Sequence, residues 1–246
     1  MMSPLPLDMP DDYPWLPSST RYPLADLGEQ AVRLGSPVTF DRRGEVVWYD
    51  VCDKGISPYS ITGSGTGNLV RVDTQYSLHG GYVLQMHAGS DADHFSEFIK
   101  HISNQEMLRA GLEAAFWLPV GGERFMITIQ RLTGAQESTA RVGLNYTNHT
   151  LELWTADGEW EQIDTVGVFE NDYGIYHHLK LVADFESGCF MRMLYDNRRY
   201  DLSNYGLIVT ADTTVAMYRA RIKFIGLSGQ DNDAYIGHVI VTGNEP

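Results

Sequence analysis

The sequence predicts an all-β protein of two antiparallel sheets packed face to face as a sandwich, with few short helices. Three observations lead there. Apolar and polar residues alternate with period two through most of the chain. Glycine- and aspartate-containing turns separate the alternating runs. The length, 246 residues, suits a single all-β domain that can bury a core without metals or disulfides.

Taken in order, residues 1–36 read as a proline-rich arm with a short helical lead-in. Prolines 4, 6, 10, 14, 17 and 23 remove backbone donors and favour extended chain. Tyr13 and Trp15 are expected to anchor the arm, and residues 25–34 could form a turn or two of helix. Residues 37–246 read as one sandwich domain, because the strand rhythm never changes character. Leu84 and Met86 alternate with Val83, Gln85 and His87, and Phe125, Ile127 and Ile129 with Met126, Thr128 and Gln130. The same holds for Val142 and Leu144 against Arg141, Gly143 and Asn145, and for Ile222 and Phe224 against Arg221 and Lys223. Leu179, Leu181, Ile222 and Phe224 are expected between the sheets. Asp157-Gly158 predicts a hairpin joining 151–154 to 160–163. Segments 96–101 and 105–108 are helical candidates that also fit strand or loop.

Charge narrows the partners. Thirty-two acidic against 18 basic residues leave a net charge of −14, which repels phosphate backbones and anionic membrane surfaces. Neither nucleic acid nor membrane is an expected partner. The N-terminal residues lack a basic start and an apolar core of signal type, so the chain as given reads as soluble and cytoplasmic. Cys52 and Cys189 form no metal-type pair; buried free thiols and a mutual bridge both remain open.

Several segments of the second half resemble a known group of folds. They are 141–146 (RVGLNY), 151–154 (LELW), 158–163 (GEWEQI), 176–185 (YHHLKLVADF), 188–197 (GCFMRMLYDN), 200–202 (YDL) and 234–242 (AYIGHVIVT). Together they look like the concanavalin A-like lectin and glucanase superfamily, laminin-G-like jelly rolls included. The resemblance implies a jelly-roll sandwich over roughly 40–244, and it departs at Gly237, where an Asp is frequent.

Chemistry is harder to find. The Glu-x-Asp-x-x-Glu strand motif that would aim two carboxylates into one groove is absent. Gln85-Met86-His87 matches one element of alginate-lyase-type sandwiches, but Arg109 and Glu113 follow it instead of preceding it. The stronger pattern is cumulative. His87, Glu113, Gln130, Arg141, Asn145 and Arg221 all stand opposite the aliphatic stripe of their strands, with Lys223 and His238 alongside. If those strands share one sheet, its outer face is a polar groove suited to an oligosaccharide or an acidic sugar. Asp231-Asn232-Asp233 and Asp91 with Asp93 are oxygen-rich, yet both suit ordinary turns; no metal or cofactor is expected. Three functions stay open: carbohydrate binding, favoured here; a polysaccharide lyase or hydrolase; and a structural protein forming a homo-oligomer.

Overall fold

A computed structural model describes residues 43–78, 81–91, 94–103, 107–120, 122–167, 175–230 and 232–246. The expected arm, its anchors Tyr13 and Trp15, and the lead-in at 25–34 lie outside the described residues. Within them the chain runs as strands β1 (Glu45–Asp50), β2 (Ser60–Ser64), β3 (Leu69–Asp73), β4 (Val83–Ala88), β5 (Phe95–Ser103), β6 (Arg109–Val120), β7 (Arg124–Leu132) and β8 (Gln136–Asn145). It continues as β9 (Thr150–Trp154), β10 (Trp160–Thr165), β11 (His177–Asp184), β12 (Cys189–Tyr195), β13 (Arg198–Asp201), β14 (Ile208–Ala211), β15 (Met217–Ile225) and β16 (Asn232–Gly243).

These strands build two antiparallel sheets. The first runs β13-β12-β11-β6-β16-β4-β3, with β1 also on β16; the second runs β10-β9-β8-β7-β15-β5-β2, with β14 also on β8. No helix occurs among the described residues, so candidate segment 96–101 takes its strand alternative and 107–108 its loop alternative, while the candidate at 25–34 lies outside them. Segment 96–101 lies inside β5, which pairs with β15 over its whole length, and residues 107 and 108 are irregular. Its apolar residues Phe98, Ile99 and Ile102 mimic a helical spacing, but cross-strand pairing decides the outcome. Phe98 and Ile102 turn into the core while Ile99 joins the outer face.

The core lies between the sheets. Leu112, Phe116, Leu179, Leu181, Val239 and Val241 of the first sheet meet Phe125, Ile127, Val142, Leu144, Ile222 and Phe224 of the second. Phe116 and Phe125 stack across the gap with ring centroids 4.2 Å apart. The predicted hairpin forms: the Thr155 amide donates to the Glu159 carbonyl at 2.9 Å, and Gly158 takes the positive φ of 81° that its turn requires.

Both cysteines are free thiols. Cys52 is buried with its thiol on the Ile236 carbonyl at 3.2 Å. Burial, then the nearby Asp50 carboxylate, pushes that thiol up to about 12. Cys189 is partly exposed.

Gly237, the departure noted above, sits at a bulge where β16 slips against β6 between Ile236 and His238. A Cβ there would lie 2.8 Å from the Leu78 Cβ and 2.9 Å from a Tyr176 ring carbon. The extra residue also reverses the phase of the strand. Ala234 and Ile236 point inward before it, Val239 and Val241 after it, so His238 is turned to the outer side.

Candidate functional site

The outer face of the second sheet is a polar surface with aromatic residues at its edges. Strand pairing sets three residues in one row: Arg141 of β8 opposes Thr128 of β7, which opposes Arg221 of β15. The two arginines are therefore two strand spacings apart, about 10 Å. Trp154 of β9 stands beside Arg141, whose guanidinium lies 5.7 Å from the indole centroid. Trp160 of β10 packs edge-on against Trp154, centroids 5.0 Å apart, and carries the Arg124 guanidinium over its face at 4.4 Å.

The cations on this face differ in how they are matched. Arg221 holds both oxygens of the buried Glu97 carboxylate, Nε and Nη2 each donating at 3.0 Å, and donates to the Gln130 side chain at 3.3 Å. Gln130 in turn donates to Glu137 at 2.6 Å and Thr139 at 3.2 Å. Asn145 donates to Glu152 at 3.0 Å, a carboxylate that also receives Arg124 at 2.9 Å. Among the described residues Arg141 has only a 3.3 Å bond from Nε to the Thr128 hydroxyl and no carboxylate at ion-pairing distance. Burial, reinforced by the Arg221 charge, holds its pKa below the usual guanidinium value. Lys223 sits 3.6 Å above the Phe95 ring; burial lowers its pKa also.

The six residues singled out from sequence do not share one face. Gln130, Arg141, Asn145 and Arg221 come together here, whereas His87 and Glu113 belong to β4 and β6 of the first sheet. His87 meets Asp233 of β16 at 2.8 Å. Glu113 is buried on that sheet's outer side beside His178 and His238. Sequence reasoning passed over Glu97, Trp154 and Trp160 as site residues. The signal for two of them was present: Glu97 is out of phase with Phe98, and Trp154 with Leu151 and Leu153.

No protein-family model matches the chain, and no curated protein matches it by sequence. Similarity appears among solved structures. A sialidase aligns with a TM-score of 0.52 at 10% identity over 82% of this chain, which spans 19% of the sialidase. A carbohydrate esterase from the Shiga toxin-encoding bacteriophage phi24B aligns at 0.50 and 12% identity, covering 82% of this chain and all of the esterase. A glycoside hydrolase family 16 protein of a Bacteroides ovatus mixed-linkage glucan locus aligns at 0.48 and 13% identity, over 80% of this chain and 100% of its own. What these structures share with the chain is the fold, a two-sheet antiparallel jelly-roll sandwich.

Proposed function

We propose that this chain binds carbohydrate across the outer face of its second sheet, and that the preferred ligand carries a carboxylate, as a uronate does. The observation behind this is Arg141: a half-buried guanidinium beside an indole, with no anion at ion-pairing distance among the described residues. A desolvated cation of this kind is stabilised by an incoming anion more than a fully hydrated one would be. Trp154 offers an apolar platform beside it for the C–H face of a sugar ring. Two neighbours with TM-scores of 0.50 and above are named as a sialidase and a carbohydrate esterase, which is consistent with a sugar ligand. Only a fifth of the sialidase is matched, so its activity is not transferred. A hydrolytic role for Glu97 is disfavoured because Arg221 occupies both of its oxygens.

The test is calorimetric titration with paired oligosaccharides, uronate-containing and neutral. Uronate oligosaccharides should bind, and Arg141→Ala should weaken them about tenfold or more, equivalent to about 1.4 kcal/mol. Trp154→Ala should weaken uronate and neutral sugars alike. Equal affinity for both sugar classes together with an unaffected Arg141→Ala variant would remove the assignment.

A further inference from the structure

The outer side of the first sheet holds a second cluster, unrelated to the face just described. His178 of β11 and His238 of β16 both oppose Ala115 of β6, one from each side. Glu113 lies two residues along β6 on that same outer side. The Gly237 bulge brings His238 there; without the phase change its ring would point into the core. One donor atom from each of the three residues lies within 4.8 Å of the other two. His238 Nε2 is 3.4 Å from Glu113 Oε1, and the two imidazole centroids are 5.4 Å apart.

Glu113 is the residue that needs explaining. It is 1% exposed, and neither carboxylate oxygen accepts a hydrogen bond from a group among the described residues. A buried carboxylate in that condition is costly unless a positive charge completes its surroundings. The pairing with His238 is long for a charge-assisted hydrogen bond, which closes to about 2.7–2.9 Å. It does match something else. Two ligands about 2.1 Å from a tetrahedral zinc ion stand about 3.4 Å apart. Two imidazoles and one carboxylate form a zinc donor set, and the nitrogen donors disfavour calcium or magnesium, which take oxygen.

We infer that Glu113, His178 and His238 form a binding site for a divalent transition-metal ion of the zinc class, with three protein ligands and a fourth position left to another donor. His178 is only partly buried, so its ring can turn the short distance needed to complete the set. No local spacing advertises the site, since its members are far apart in sequence and two of the three depend on strand pairing to meet. It stands independently of the sugar-binding reading because it occupies the other sheet.

The experiment uses chelator-treated protein titrated with zinc by calorimetry, and with cobalt followed by visible absorption. One equivalent of zinc should bind and raise the melting temperature. Cobalt should develop the d–d bands of a four- or five-coordinate nitrogen and oxygen site. His178→Ala, the least buried position of the three, should keep the native far-ultraviolet dichroism yet lose at least about tenfold in zinc affinity. Glu113→Gln, close in shape but uncharged, should do the same, while Arg141→Ala should leave metal binding unchanged. Absence of stoichiometric zinc binding by the native chain would overturn the inference. So would native affinity in the His178→Ala variant, which would place the ion elsewhere.

Discussion

Asp184 shows how one side chain closes a strand. At the end of β11 its Oδ1 accepts the amides of Glu186 at 2.9 Å and Ser187 at 3.0 Å, and its Oδ2 accepts Arg109 Nε at 3.0 Å. Burial alone would raise its pKa, but the two amides and the guanidinium outweigh it and hold the carboxyl below its ordinary value. A lowered folded-state pKa adds stability in full above the unfolded carboxylate range, and that stability fades as pH falls through the folded value. Asp184→Asn keeps an acceptor for the turn and loses the charge. Urea denaturation at pH 7 should show a loss of about 1 kcal/mol, discounted because Arg109 is partly exposed. The difference from the native chain should shrink as pH falls below about 4, where the unfolded carboxyl takes up its proton, and vanish once the folded carboxyl is protonated as well. An equal deficit at pH 7 and pH 3 would mean the charge is irrelevant there. Part of this scale was readable from sequence: Asp157-Gly158 announced its turn. That Arg141 has no anion at ion-pairing distance among the described residues was not, because it depends on which neighbours two other strands supply.

Among the elements, the β9–β10 hairpin and its neighbour β8 shape the proposed sugar face. Gly143 is the gap in β8 on which the hairpin rests: an added Cβ would lie 3.2 Å from Met126 Cγ, from the Phe125 carbonyl and from the Trp160 ring. A branched side chain at this position must displace the indole, since the backbone carbonyl is held in the β7–β8 ladder. Gly143→Leu should therefore cost about 1–3 kcal/mol through overpacking. It should also shift the tryptophan fluorescence and weaken oligosaccharide binding. Native fluorescence with native affinity would show that Trp160 does not depend on the glycine. The hairpin itself was legible, since Asp157-Gly158 between two short alternating runs states it locally. β5 was less so, because Phe98, Ile99 and Ile102 fit two periods at once. The bulge at Gly237 was visible only as a departure from a resemblance, and its effect on His238 required the pairing with β6.

At the scale of the molecule, alternation revealed which side of each strand faces the core, but not which sheet the strand joins. That is why the predicted polar set divided, His87 and Glu113 going to one sheet and Gln130, Arg141, Asn145 and Arg221 to the other. Sheet membership is settled by contacts between distant segments, and a single sequence carries little local trace of them. The core itself is shared: Leu181 from the first sheet and Ile222 from the second are buried in the same cluster. Leu181→Ala and Ile222→Ala should each cost about 2–5 kcal/mol and shift one common unfolding transition. Two separate transitions, with each variant moving only one, would show that the sheets unfold independently. The long strand β16 bears on a different matter, the order of synthesis. It pairs with β1, β4 and β6, whose residues all leave the ribosome well before 232–243 do. The nascent chain therefore holds the middle of its first sheet open until that segment emerges. Closure then spans almost the whole domain, which makes for slow folding and a prolonged interval in which unpaired strand edges are exposed to other chains.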